Sequence, residues 1–132
     1  MNKVNTLNNR HSSNLEFARQ MQARTKTFAL RIIRMFQQLP KTDEGRVLGK
    51  QILRAGTSVA ANYRAVCRAK SRADFISKLG TTVEEVDETL FWLELLEESS
   101  IVSAAKLQSI KVEADELLRI LSTSLDTAKR SR

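Results

Sequence analysis

One proline and four glycines are all that interrupt 132 residues of sequence, and this scarcity constrains the fold more than any other feature. A sheet of many strands needs frequent turns, and glycine and proline are the residues that most often form them. Long helices are therefore expected throughout. Apolar residues make up 42% of the chain, which is enough for one packed core. The length fits one domain, since domains cluster near about 100 to 150 residues.

Apolar spacing and helix-capping residues predict an all-α chain of four helices. Pro40 ends the first helix, because it has no N–H to donate and disfavours helical geometry at the residue before it. Short connections favour an up-down-up-down antiparallel four-helix bundle over residues 13–126. Residues 1–12 are expected to form a flexible polar arm and residues 127–132 a polar tail. The predicted helices are 13–38, 44–67, 71–99 and 103–126.

The composition excludes several classes of protein. Cys67 is the only cysteine and His11 the only histidine, which excludes a disulfide scaffold, a cysteine zinc site and a histidine pair on a metal. No nucleophile and base are found in a catalytic arrangement, so we expect no enzyme, no metal and no cofactor. The sequence has neither the apolar stretch of a signal peptide nor an uncharged run of about 18 apolar residues. A cytoplasmic protein without membrane attachment is predicted.

Charge is divided unevenly along the chain. Residues 1–78 contain 16 basic and 4 acidic side chains, whereas residues 79–132 contain 6 basic and 11 acidic ones. This asymmetry suggests an anionic partner for the basic half, or complementary contacts between the two halves, within one chain or between copies. Both interpretations remain open from the sequence.

Cations of the second helix share one face. At about 100° per residue, four of them lie within about 40° of one line, opposite the apolar residues, and span about 27 Å. That length is comparable to several successive nucleic-acid phosphates. Two more basic residues extend the row around the next turn. The predicted nucleic-acid-binding residues are Lys50, Arg54, Arg64, Arg68, Lys70 and Arg72.

Two alternatives accompany this prediction. A row of outward cations is often only a solvated helix face. Arg54 has an alternative role of its own, which is to pair with carboxylates across a subunit boundary. The sequence does not distinguish RNA from DNA.

Two further surfaces predict close contacts. Gly49 and Gly56 lie on one side of the second helix, where small side chains allow a neighbouring helix or a second subunit to approach. Trp92, flanked by Leu95 and Leu96, lies away from the apolar stripe of the third helix. Burial of such surface is worth about 25 cal/mol per Å². We expect these five residues at an oligomer interface; the alternative for Trp92 is cover by the fourth helix or by the N-terminal arm.

A further pattern of residues extends through positions 39–96. Its members are Pro40, Gln51, Arg54, Ala55, Ser58, Asn62, Arg68, Ser71, Asp74, Phe75 and the acidic run Glu84 to Glu88. Through this pattern the chain resembles a bacterial family of four-helix-bundle proteins encoded in intervening sequences of 23S rRNA genes. Many relatives read Asn-Ile-Ala-Glu-Gly where this chain has residues 62–66, Asn-Tyr-Arg-Ala-Val.

The resemblance implies a bundle that assembles as a ring, a pentamer, without enzymatic activity. The family is similar in fold to the accessory protein of diversity-generating retroelements, a basic pentameric barrel that binds nucleic acid and a reverse transcriptase. By analogy of fold alone, a reverse transcriptase becomes a candidate partner. Together, residues and resemblance predict a homo-oligomer that binds RNA or DNA through its phosphates. The alternative is a protein-interaction scaffold or accessory factor whose charges serve assembly.

Overall fold

The structure, a computed structural model, describes residues 3–131, with side chains from residue 12 onward. No β-strand occurs in this range, so the prediction of an all-α fold with four helices is confirmed. Each helix packs against the next one in the chain, and α1 also contacts α4, though less extensively. The helices are α1 (Lys3–Gln38), α2 (Asp43–Val66), α3 (Arg72–Glu98) and α4 (Ala104–Arg130).

Hydroxyl side chains begin three of the helices. Thr42, Ser71 and Ser103 each accept a hydrogen bond from the backbone N–H three residues further on. Each bond satisfies an amide that has no partner inside the helix. The capping pattern therefore located the starts of α2, α3 and α4 to within one residue.

The outer ends of the bundle differ from the prediction. α1 begins at Lys3 instead of Ser13, and α4 continues to Arg130. Residues 1–12 contain neither glycine nor proline, so nothing there stops a helix that extends towards the N-terminus. Lys129 and Arg130 occupy the last turn of α4, where positive charge suits the helix dipole. Of the residues expected to form the polar arm and tail, 1, 2 and 132 lie outside the described residues.

All four helices contribute fully buried apolar side chains to one core. The apolar stripe of α4 is buried from Leu107 to Leu121, and Phe28 and Ile32 bury the middle of α1. Nearer the start of α1, Phe17 is 39% exposed. Within residues 3–131, no helix has the length and apolar character needed to cross a membrane.

α1 and α2 approach each other closely because of two glycines. A Cβ atom on Gly56 would lie 2.7 Å from Cγ1 of Ile32, and one on Gly49 would lie 2.9 Å from Cδ1 of Leu39. Both distances are too short for carbon atoms in contact, so a larger residue at either position would force the neighbouring side chain to move. The demand is greater at Gly56, where Cγ1, Cγ2 and Cβ of Ile32 all lie close. The small-residue face of α2 is therefore covered by α1 of the same chain.

The seam between α1 and α4 is joined by polar side chains. Arg24 donates from Nε to Glu113 at 2.9 Å, from Nη2 to Glu113 at 2.7 Å, and from Nη2 to Glu116 at 2.5 Å. These bonds, that to Glu113 foremost, raise the pKa of Arg24 above its usual value. Two helical turns further along α1, Arg31 donates to Oγ of Ser109 at 2.8 Å. Directed bonds thus hold the seam where helix packing is sparse.

Candidate nucleic-acid interface

α2 has one buried and one charged face, as its spacing predicted. Ile52 and Val59 are fully buried, whereas Lys50, Arg64 and Arg68 are exposed. Residues 45–73 contain no Asp or Glu, so beyond its first turn α2 offers a surface of one sign. Arg64 and Arg68 are thus available to an anion from solution.

A groove runs between α1 and α2, and α1 contributes a cation that the sequence did not indicate. In one part of this groove, Lys26 of α1 shares the lining with Arg64 and Arg68 of α2. The volume of this part is about 470 Å³. Its lining residues are Gln22, Ala23, Lys26, Ala60, Ala61, Arg64 and Arg68.

The groove continues past Gln22, which lines both of its parts. The second part, of about 590 Å³, adds Arg19 of α1 and Lys70 from the turn after α2. Its lining residues are Leu15, Ala18, Arg19, Gln22, Tyr63, Val66, Cys67, Ala69, Lys70, Ser71 and Phe75. We call the two parts together the α1–α2 groove. Five cations line it, and none of the lining residues in the described part of the chain carries a carboxylate.

The remaining cations of the predicted set lie elsewhere. Arg54 turns towards α3, where it forms a salt bridge with Glu88 and a longer one of 3.5 Å with Glu85. This pairing lies within one chain, whereas the sequence suggested either a phosphate or a neighbouring subunit. Lys50 lines a separate hollow at the α1–α2 turn, together with Lys41 and Arg46.

Arg72 is engaged at the end of α4. Its guanidinium donates to the backbone carbonyl of Ala128 at 2.5 Å and also to those of Lys129 and Ser131. A cation stabilises the partial negative charge at a helix C-terminus. Arg64, Arg68 and Lys70 are therefore the members of the predicted set that share one groove.

A carboxylate follows the groove in sequence but has partners of its own. Asp74 accepts hydrogen bonds from Nζ of Lys78 at 2.9 Å and from the backbone N–H of Lys70 at 3.0 Å. These bonds, the one from Lys78 foremost, hold the pKa of Asp74 below its usual value. Lys78 thus offsets the charge of Asp74.

Cys67 and Tyr63, which line the second part of the groove, add no negative charge to it at neutral pH. Burial raises the pKa of the Cys67 thiol, against a smaller opposing effect of Tyr63. Burial first, and the neighbouring Cys67 second, raise the pKa of Tyr63. Thiolate is the reactive form of cysteine, so this environment gives Cys67 no catalytic activation.

The residues expected at an oligomer interface are distributed differently from the expectation. Gly49, Gly56 and Leu96 are buried within the chain, so they present almost no surface to a second subunit. Trp92 and Leu95 are half-buried, and Trp92 packs against the core. Its indole Nε1 is enclosed and has no hydrogen-bond partner among the residues that the structure describes.

The exposed aromatic surface belongs instead to Phe91, which the sequence did not single out. Its side chain is 50% exposed, and its ring meets that of Trp92 edge to face, with centroids 5.1 Å apart. Glu84 and Asp87 are exposed on the same helix. α3 therefore presents an aromatic ring within an acidic surface.

Comparison with known proteins agrees with this architecture. A crystal structure of a protein of unknown function from the S23 ribosomal protein family of Bacteroides thetaiotaomicron VPI-5482 matches with a TM-score of 0.77. The two sequences are 35% identical, and the match covers 83% of this chain and 97% of that chain. No curated protein matches the chain. The model of the 23S rRNA-intervening sequence protein family matches residues 12–123, and the chain therefore belongs to that family.

Proposed function

We propose that the protein is a non-enzymatic nucleic-acid-binding protein that holds RNA or DNA by its phosphates. The observation that carries this proposal is the α1–α2 groove, where two helices bring five cations together without a carboxylate. Arginine is suited to this task, because its guanidinium binds phosphate through two parallel hydrogen bonds. Contacts to phosphate carry no direct sequence information, so discrimination between sequences is weak.

The test compares the salt dependence of nucleic-acid binding in the wild type with that in a double variant. The affinity of the wild type for a nucleic acid should fall steeply between about 50 and 200 mM salt. Replacement of both Arg64 and Arg68 by Ala should make the slope of log binding constant against log salt concentration shallower by about 1.4 to 1.8. The matched control is the variant with Arg46 and Arg119 replaced by Ala, since both arginines are more than half exposed and lie outside the groove. No binding at 50 mM salt, or equal slopes in the two variants, would contradict the proposal.

We further propose that the bundle is up-down-up-down and that it assembles into a ring of five copies. The contacts of the α1–α4 seam support the helix directions, since Arg24 meets Glu113 while the later Arg31 meets the earlier Ser109. The ring is supported by the family resemblance and by the opposite charges of the two halves of the chain. Two different complementary surfaces on one protein give head-to-tail contacts, which close into a ring when the rotation allows.

Two surfaces fit such a contact. One is the acidic surface of α3 with the exposed ring of Phe91. The other is the hollow at the end of the bundle, where Met35, Ile101 and other apolar residues form the floor beside Arg34 and Lys106. An aromatic ring surrounded by carboxylates complements an apolar hollow flanked by cations. This pairing leaves the α1–α2 groove free for nucleic acid.

Light scattering tests the ring. The wild type should have the mass of five chains, and Phe91→Lys should reduce it, because an ammonium group would replace the ring at the contact. Phe17→Lys is the matched control, since Phe17 is similarly exposed at 39% near the other end of the bundle. A monomeric wild type would contradict the ring, and equal masses of the two variants would contradict the role of Phe91.

The second candidate function is a protein-interaction scaffold, with a reverse transcriptase as a partner by analogy of fold. The observation in its favour is that Arg54 and Arg72, two of the predicted phosphate ligands, form contacts within the chain. A scaffold would form the same ring but bind no nucleic acid at 50 mM salt. The binding and mass measurements together therefore separate the two functions.

A further inference from the structure

We propose that the α1–α2 groove holds a single strand of nucleic acid and not a duplex, with phosphates on Lys26, Arg64 and Arg68 and bases against Phe75 and Leu15. This inference rests on the proposed function and specifies the kind of nucleic acid that the groove accepts.

The width of the groove is the first argument. Axes of packed helices lie about 8–10 Å apart, and two glycines bring α1 and α2 close together. A duplex is wider than this separation, since its major groove alone measures about 12 Å across. A duplex would rest on the outer cations without reaching the floor. A single strand is narrow enough to lie along the floor of the groove, in contact with side chains of both helices.

The chemistry of the groove changes along its length. In the first part, Ala23, Ala60 and Ala61 leave room between cations that belong to both helices. In the second part, the half-buried Phe75 and Leu15, which is 45% exposed, offer apolar surface. A nucleotide combines the matching pair of surfaces, because its phosphate is charged and its base has an apolar face. Stacking of bases on aromatic side chains is the usual way in which proteins bind single strands.

The length of the groove sets how many phosphates it holds. Arg19 and Lys26 are seven residues apart on α1, which corresponds to about 10 Å at roughly 1.5 Å per residue. For a strand that follows this length, the three cations of the first part, Lys26, Arg64 and Arg68, neutralise about three phosphates. For single strands, three neutralised phosphates predict a log–log salt slope of about −2.

The experiment compares the binding of one labelled oligonucleotide, about twelve nucleotides long, as a single strand and as a blunt duplex. We expect the single strand to bind at least about tenfold more tightly, with a slope near −2. Lys26→Ala should make this slope shallower by about 0.7, and the control Arg119→Ala, which removes the same charge outside the groove, should leave it unchanged. Phe75→Leu, which keeps an apolar side chain in the core, should weaken single-strand binding about tenfold without changing the slope.

A measurement on the wild type makes the test independent of folding in the variants. Cys67 lines the groove, and the single strand should slow its alkylation by a maleimide more than the duplex does. Duplex binding that equals or exceeds single-strand binding, or equal slopes for the Lys26 and Arg119 variants, would overturn this inference and leave the proposed function standing. Failure of both nucleic acids to bind at 50 mM salt would overturn the proposed function itself.

Discussion

Gly56 determines how closely α1 and α2 pack. With no Cβ, it leaves room for Ile32, whose side-chain carbon would otherwise be 2.7 Å away. The same contact fixes the separation of the two helices that line the α1–α2 groove. One missing methyl group in the core thus sets the width of a surface feature.

Gly56→Ala should destabilise the protein by about 1 to 3 kcal/mol, because the added methyl group overpacks a buried contact. Gly80→Ala is the matched control, since a Cβ at Gly80 of α3 meets nothing within 4 Å. That substitution should stabilise the protein by about 0.5 to 1 kcal/mol, because alanine favours a helix interior. Denaturant unfolding of the two variants measures both effects, and equal changes in stability would refute the packing argument.

Trp92 shows what a helical wheel omits. Its wheel position lies away from the apolar stripe, yet the ring is half-buried and packs against the core. A wheel treats each helix as half buried and half exposed, but α3 contacts both α2 and α4, so a wider arc of it is covered. The exposed aromatic residue is the next one along the chain, Phe91.

At the level of the elements, α1 and α4 depend on Arg24 for their contact. The guanidinium binds two carboxylates of α4 across a seam that has few other contacts. The side chain of Glu113 is only 19% exposed, so removal of Arg24 would leave a partly desolvated carboxylate without its cation. Such partly buried charged hydrogen bonds stabilise more than exposed pairs do.

A double-mutant cycle on Arg24→Ala and Glu113→Ala should give a coupling energy of about 1 to 2 kcal/mol. The control cycle pairs Arg119→Ala with Asp115→Ala, a salt bridge within α4 in which Arg119 is 74% exposed. That cycle should give only about 0.3 to 0.5 kcal/mol. Similar coupling energies in thermal or denaturant unfolding would show that Arg24 does not join the helices.

The helices themselves were predictable from the sequence because the relevant signals are local. Caps at Ser71 and Ser103, and the break at Pro40, depend on residues within one turn. The start of α1 was missed because Ser13 and Glu16 have the spacing of a cap, although no residue before them breaks a helix. Local signals therefore mark where a helix is able to start, and continuation depends on the absence of a breaker.

The composition of the α1–α2 groove was not predictable in the same way. Periodicity places Arg64 and Arg68 on one face of α2, but it does not say which residues of another helix lie beside them. Lys26 joins them only because α1 packs against that side of α2. Packing also separates Arg54 from Arg64. Carboxylates of α3 lie beside Arg54 and pair with it, and periodicity within α2 does not reveal them.

At the level of the whole molecule, the charges divide into two separate surfaces. The α1–α2 groove is cationic, while α3 presents Glu84 and Asp87 around Phe91. Because the proposed assembly uses α3 and the end of the bundle, bound nucleic acid would not compete with a neighbouring subunit.

Addition of a single strand should therefore increase the mass of the oligomer and not dissociate it. Native mass spectrometry at low salt should detect intact rings that carry bound strands, with at most one strand for each chain. The Arg64 and Arg68 double variant should retain the ring and lose the strands. Dissociation into single chains on addition of nucleic acid would mean that the groove also serves as the subunit contact.

The sparse seam between α1 and α4 also bears on how the native bundle fluctuates. α2 and α3 each have extensive neighbours on two sides, whereas α1 and α4 each have one such neighbour and share a thin contact. Partial openings of a protein release first the elements that bury least. Amide protons of α2 and α3 should consequently exchange with deuterium most slowly, and a brief separation of α1 from α4 should expose the core without unfolding the central pair.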